Sequence, residues 1–172
     1  MTGFNEIADG STNTILFGEI YSNKEQSPFA VNQPTALLED PSECLELVEG
    51  RHGDWTFKNG VSLSPIGRGG HWAEGRAGVA LFNTILPPKS PSAAAVGSIG
   101  VDGIYSANGS HRHGLNVAFA DGSVRFIEDG IDAGDSTHPT PTEEEMATGT
   151  PSPYGVWGAL GTISGGEIAE EF

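Results

Sequence analysis

Two histidines at alternate positions open the stretch SHRHGLNVAFADGSVRFIED, Ser110 to Asp129. Alternate residues of a strand share a face, so His111 and His113 would point the same way and could share one metal ion. A pair is not yet a site, because zinc takes three or four ligands. His52 and His71 show no ligand spacing and would have to be delivered by folding. The competing reading is two polar residues leading into a strand.

Carboxylates offer a second chemistry. EDGIDAGDS places Glu128, Asp129, Asp132 and Asp135 among glycines that let a loop fold back. Calcium takes several hard oxygens, which such a loop could supply with its carboxylates and backbone carbonyls, although the spacing is not that of an EF-hand. The competing reading is a solvated acidic loop. Asp9 to Asn13 is a rival carboxylate stretch, better read as turn and capping chemistry. Nucleophilic catalysis finds little support. No G-x-S-x-G elbow is present, and Cys44 lies close to Glu43 and Glu46, whose charge disfavours a thiolate. The glycines of Gly67-Arg68-Gly69-Gly70 lack the strand and helix context of a phosphate loop.

The elements that must position these residues are short. At 172 residues the chain suffices for one domain with a continuous core. Its 25 glycines and 11 prolines point to many turns and little long helix. A net charge of −15, with eight Lys plus Arg, argues against nucleic acid and anionic membrane surfaces, which need cationic side chains. A single cysteine excludes an intrachain disulfide. No apolar run reaches the ~18–20 residues that span a bilayer, and no signal peptide opens the chain.

Asp121-Gly122 predicts a two-residue hairpin turn in which Val117 faces Phe126. Leu115, Val117, Phe119, Val124 and Phe126 then form one buried apolar face, and Asp121 and Gly122 are explained by the turn alone. Asn59-Gly60 predicts a second hairpin between two strand-like runs. Thr14 to Tyr21 reads as a strand, Ser22 to Pro41 as a surface loop, and Ser42 to Gly50 as either a helical turn or an edge strand. Lys89 to Gly103 is small-residue-rich and reads as an irregular excursion. Residues 130–153, dense in Asp, Glu, Thr and Pro, are expected to form a mobile loop. Trp157 and Ile163 are candidates to return to the core.

Several stretches carry a resemblance. SHRHGLNVAFADGSVRFI is similar to the His-x9-Asp-Gly signature, here His111 with Asp121 and Gly122, of prepilin-like proteins of unknown function abundant in planctomycetes. ADGSTNTILFGE, FNTILPPKSPS and SPYGVWGALGTISGGE also resemble that family. The resemblance implies a cleaved leader and a long hydrophobic helix ahead of the part seen here, and hence a C-terminal globular head. It implies homo-oligomeric partners, other pilin-like subunits joined through that helix, with membrane contact only through the same segment. Calcium binding by major pseudopilins favours the acidic loop by analogy. Many relatives place a cysteine where Ala93 stands, so Cys44 is expected as a lone thiol.

These readings converge on one domain, residues 1–172, of α+β class: a mainly antiparallel sheet with short helices and long loops, a pilin- or pseudopilin-like head. The expected role is non-enzymatic, as a structural subunit of a filament or secretion apparatus at the cell envelope or outside the cell. One alternative is an extracellular module binding a glycan or small solute on a concave patch of Trp55, Trp72 and Trp157. The other is a metal-dependent hydrolase, in which His111 and His113 would converge with carboxylates on one ion.

Overall fold

A computed structural model describes residues 3–21, 27–71, 73–97 and 102–167. In chain order the strands are β1 (Ile15–Gly18), β2 (Ala30–Gln33), β3 (Val48–Arg51), β4 (Asp54–Phe57), β5 (Ala93–Ala95), β6 (Gly103–Ile104), β7 (Gly114–Phe119) and β8 (Val124–Glu128). The helices are α1 (Ala36–Glu39), α2 (Ala77–Ala80), α3 (Glu143–Thr148) and α4 (Gly155–Ala159). The class is α+β with mostly antiparallel pairing. One sheet runs β1-β7-β8, a second runs β2-β5-β6, and β3 pairs with β4 alone. Among the described strand pairs, only β2 and β5 run parallel.

The β7–β8 hairpin forms, one residue out of the predicted register. Leu115 pairs with Ile127 and Ala118 with Val124, so the loop holds three residues, Ala120-Asp121-Gly122. Only Gly122 takes a left-handed φ, +85°, and Asp121 Oδ1 accepts from Ser123 N at 2.8 Å. This fits a three-residue loop with glycine at its left-handed position, where a two-residue type I′ turn needs positive φ at both centres. A one-residue shift inverts a strand. Leu115, Val117 and Phe119 are buried as expected, but Ile127 joins them, while Val124 and Phe126 face outward at 65% and 47% exposure.

Other departures share a cause: small or polar stretches that pack. The Lys89 to Gly103 excursion contains β5, whose three alanines are buried at the centre of the second sheet. Only side chains this small let strands and loops close over both faces. The Ser22 to Pro41 loop contains β2 and α1, with Phe29, Ala30 and Leu37 in the core; residues 22–26 lie outside the described residues. Asn59-Gly60 makes a turn, but β4 pairs backward with β3 across His52-Gly53. Ser42 to Gly50 is both things foreseen for it, a 3-10 turn over Pro41–Leu47 followed by β3.

The 130–153 stretch includes α3, with a capping box between Thr142 and Glu145 and Gly149 closing its end. It is tied to the body by Thr140 N to Leu38 O, Ser42 N to Ser136 O, and the Tyr154 hydroxyl donating to His138 O and Pro139 O. Trp157 is fully buried in the cluster under the first sheet; Ile163 stays 39% exposed. No helix among the described residues is long and apolar enough to cross a membrane.

Candidate functional site

An open cleft of about 650 Å³ lies between the β3–β4 hairpin and the segments before β5 and β7. Trp55 and Phe57 project from alternate positions of β4 and meet edge to face, centroids 5.3 Å apart. The Trp55 indole N–H donates to Lys89 O at 2.7 Å, which fixes the ring. Tyr21 and Leu63 add apolar wall; Asp54, Asn108, His111 and Arg112 add polar rim.

Lys89 is the unusual member. It holds φ +67° without being glycine and is 6% exposed. Such a backbone costs about 1–3 kcal/mol and persists only where the surroundings over-determine it. Here they do. Its N–H donates to Ala107 O at 2.8 Å, its carbonyl accepts from Trp55, and its ammonium donates to His111 O and lies 3.9 Å from Asp129 Oδ2. Two cations, Lys89 and Arg112, thus line one cleft in a chain with only eight Lys plus Arg. Low-dielectric walls make that local field stronger than the acidic whole suggests. Lys89 lies within FNTILPPKSPS, where a lone cation in a run of Pro and Ser was the available signal.

His111 and His113 do not act as a pair. The strand starts at Gly114, and His111 sits in the bend before it. His111 Nε2 lies 3.3 Å from Glu19 Oε1 and 2.9 Å from Asn116 Nδ2, with its ring edge-on to Phe126. His113 contributes its carbonyl to Asp129 N. Burial raises the Glu19 pKa, but the Asn116 backbone and amide and the His111 ring outweigh it and hold this carboxyl below its ordinary value. Within the family-like motif, His111 is therefore a link between β1 and β7, and Asp121 and Gly122 are the hairpin turn at the far end.

The four acidic candidates diverge. Glu128 ends β8 opposite Gly114. Asp129 turns to Lys89. Asp132 Oδ1 accepts from Gly134 N, and Asp135 Oδ1 accepts from the N–H and hydroxyl of Thr137, which lowers its pKa. Asp9 accepts from Thr162 Oγ1, Gly165 N and Gly166 N, so its carboxylate ties the first turn to the loop after α4 rather than capping a local helix. Among the described residues, no three His, Cys, Asp or Glu side chains group so as to hold a metal ion.

Of the two described tryptophans, only Trp55 lines the cleft. Trp72 lies outside the described residues. Trp157 is a correction: it is 0% exposed, donates to Leu86 O at 2.9 Å and stacks on Phe82, so it has no surface to offer. Cys44 is buried, which pushes its thiol up to about 12 and leaves it unreactive at neutral pH.

No curated protein and no solved structure matches the chain. A family signature does, over residues 1–134, which include β1 to β8 and the whole cleft but stop short of α3 and α4. The chain belongs to that family, described as "Protein of unknown function (DUF1559)".

Proposed function

We propose that this chain is a non-enzymatic binding head, the globular part of a pilin- or pseudopilin-like subunit at the cell envelope or outside the cell, which receives a glycan or small solute at the Trp55 cleft. The observation that carries the binding role is Trp55 itself, an immobilised aromatic in an open cleft whose rim offers carboxylate, amide, imidazole and guanidinium groups. Sites for small molecules combine apolar walls with a few placed polar groups in this way. A reacting centre has less support, because His111 is engaged by Glu19 and Asn116 and the Cys44 thiol is buried. A glycan array followed by titration of the hits tests the reading. Binding abolished by Trp55→Ala with only a small fall in Tm is expected; hits that bind the variant equally well would sink it.

The subunit role is supported by a separate surface. Leu16, Phe17 and Leu81 stand exposed around a groove of about 420 Å³ beside β1. Contiguous apolar surface of this kind marks protein contacts. Antibody to this domain should label surface filaments on cells, and Phe17→Asp should remove the label from filaments while leaving soluble protein. Cells whose labelled protein never forms assemblies would end this part of the reading.

A further inference from the structure

Behind Trp55 lies a second, much smaller chamber that adjoins the cleft. Its lining includes Trp55, Arg68, Ser90, Ser92 and Ser106, and the centre of a water-sized sphere has about 10 Å³ in which to move there, room for one small ion but no larger group. Arg68 is 3% exposed. Its Nη2 donates to Leu81 O at 2.8 Å and to Ser106 O at 3.3 Å. A guanidinium has five N–H donors. Nε and Nη1, and the hydroxyl of Ser90, find no acceptor among the described residues.

We propose that this chamber binds one small monovalent anion, of the size and charge of chloride, held by Arg68 and Ser90. Three observations meet here. Arg68 stays cationic at neutral pH, since burial brings its pKa down only to about 10. A buried charge is costly unless paired, and no carboxylate among the described residues lines the chamber. The Tyr105 ring, 5.4 Å from the guanidinium carbon, offsets only part of that cost. The volume then selects the ligand. A carboxylate or phosphate is too large, and a water would satisfy donors without neutralising the charge. This site stands apart from the proposed cleft ligand.

The test compares melting of the full chain in chloride and in gluconate at matched ionic strength, and locates bromide by anomalous scattering in crystals. Chloride should raise Tm with saturation by ~0.1 M, as expected for a ligand that binds only the folded state. A bromide peak should fall within hydrogen-bonding reach of Arg68 and Ser90. Ser90→Ala should weaken the halide dependence severalfold, and Arg68→Met, if it folds, should abolish it. Melting indifferent to the anion together with no bromide peak would overturn the proposal.

Discussion

Glu19 Oε1 sits 3.3 Å from His111 Nε2 while its other oxygen accepts from Asn116 N at 2.8 Å. One carboxylate at the end of β1 thus ties that strand to β7 and to the bend that forms the cleft rim. The far end of the same hairpin is tied separately, by Ala120 N to Thr14 O and Asp121 N to Ser11 O. The first sheet is clamped at both ends by the segment that precedes and forms β1.

The Glu19 clamp predicts a pH dependence of known sign. Its folded pKa is lowered below 4.5, so its contribution is present above about 4.5 and is lost as pH falls through the folded value. Glu19→Gln should lower Tm at neutral pH, and the gap to wild type should close as the solution is acidified below that window. Parallel melting curves from neutral to acid pH would show that the carboxylate contributes no charge-dependent stability. The side chain is part-exposed, so the effect is a fraction of a buried pair's.

Two glycines of the hairpin should fail differently. A Cβ at Gly114 would lie 2.1 Å from Ile127 O, a backbone atom that cannot move without breaking the ladder. Gly114→Ala should cost about 1–3 kcal/mol by overpacking. At Gly122 nothing lies within 4 Å, and only φ +85° opposes a side chain. Gly122→Ala should cost about 1–2 kcal/mol, and Gly122→Asn less, because asparagine tolerates the left-handed region. Urea unfolding of the three variants measures this; equal costs for Ala and Asn at 122 would refute the conformational explanation.

How much of this was legible depends on what each residue does. The hairpin was visible because alternation and Asp-Gly agree, yet its register was not, since Asp-Gly suits both a two-residue loop and a three-residue loop with glycine last. Val124 and Phe126 then mislead, being apolar but outward-facing. β5 was invisible because alanine carries no strand signal, and its burial follows from strands β2 and β6 on either side. Trp55 could be named as a candidate for the cleft, but Lys89 could not, because its place there depends on a backbone angle and on partners distant along the chain. Arg68 was read only as part of a glycine cluster that failed to be a phosphate loop. That it is buried is a tertiary fact.

Cys44 should behave as a reporter of unfolding. Its thiol is pushed up to about 12 by burial and donates to Pro91 O at 3.4 Å. At mildly alkaline pH a thiol reagent should react no faster than the protein opens, and reaction should become immediate in denaturant. Labelling of the native protein at the rate of a free thiol would contradict the burial of this residue.

Trp55 and Trp157 separate binding from stability. Trp157 fills the cluster around Leu115, Val117, Phe119 and Leu160, and its indole N–H satisfies Leu86 O. Trp157→Ala should cost about 3–5 kcal/mol from cavity formation alone, with a further penalty for the stranded carbonyl. Trp157→Phe recovers much of the volume but not the hydrogen bond, so it should fall between the two. Trp55 is part-exposed and packs mainly on Phe57, so Trp55→Ala should move Tm little and should instead abolish ligand-induced fluorescence change. Because Trp55 also walls the Arg68 chamber, the halide dependence of Trp55→Ala should weaken as water gains access. Trp55→Phe, which keeps the wall, should retain it. A Trp55→Ala protein as destabilised as Trp157→Ala would instead make Trp55 a core residue, and the cleft would lose its recognition element.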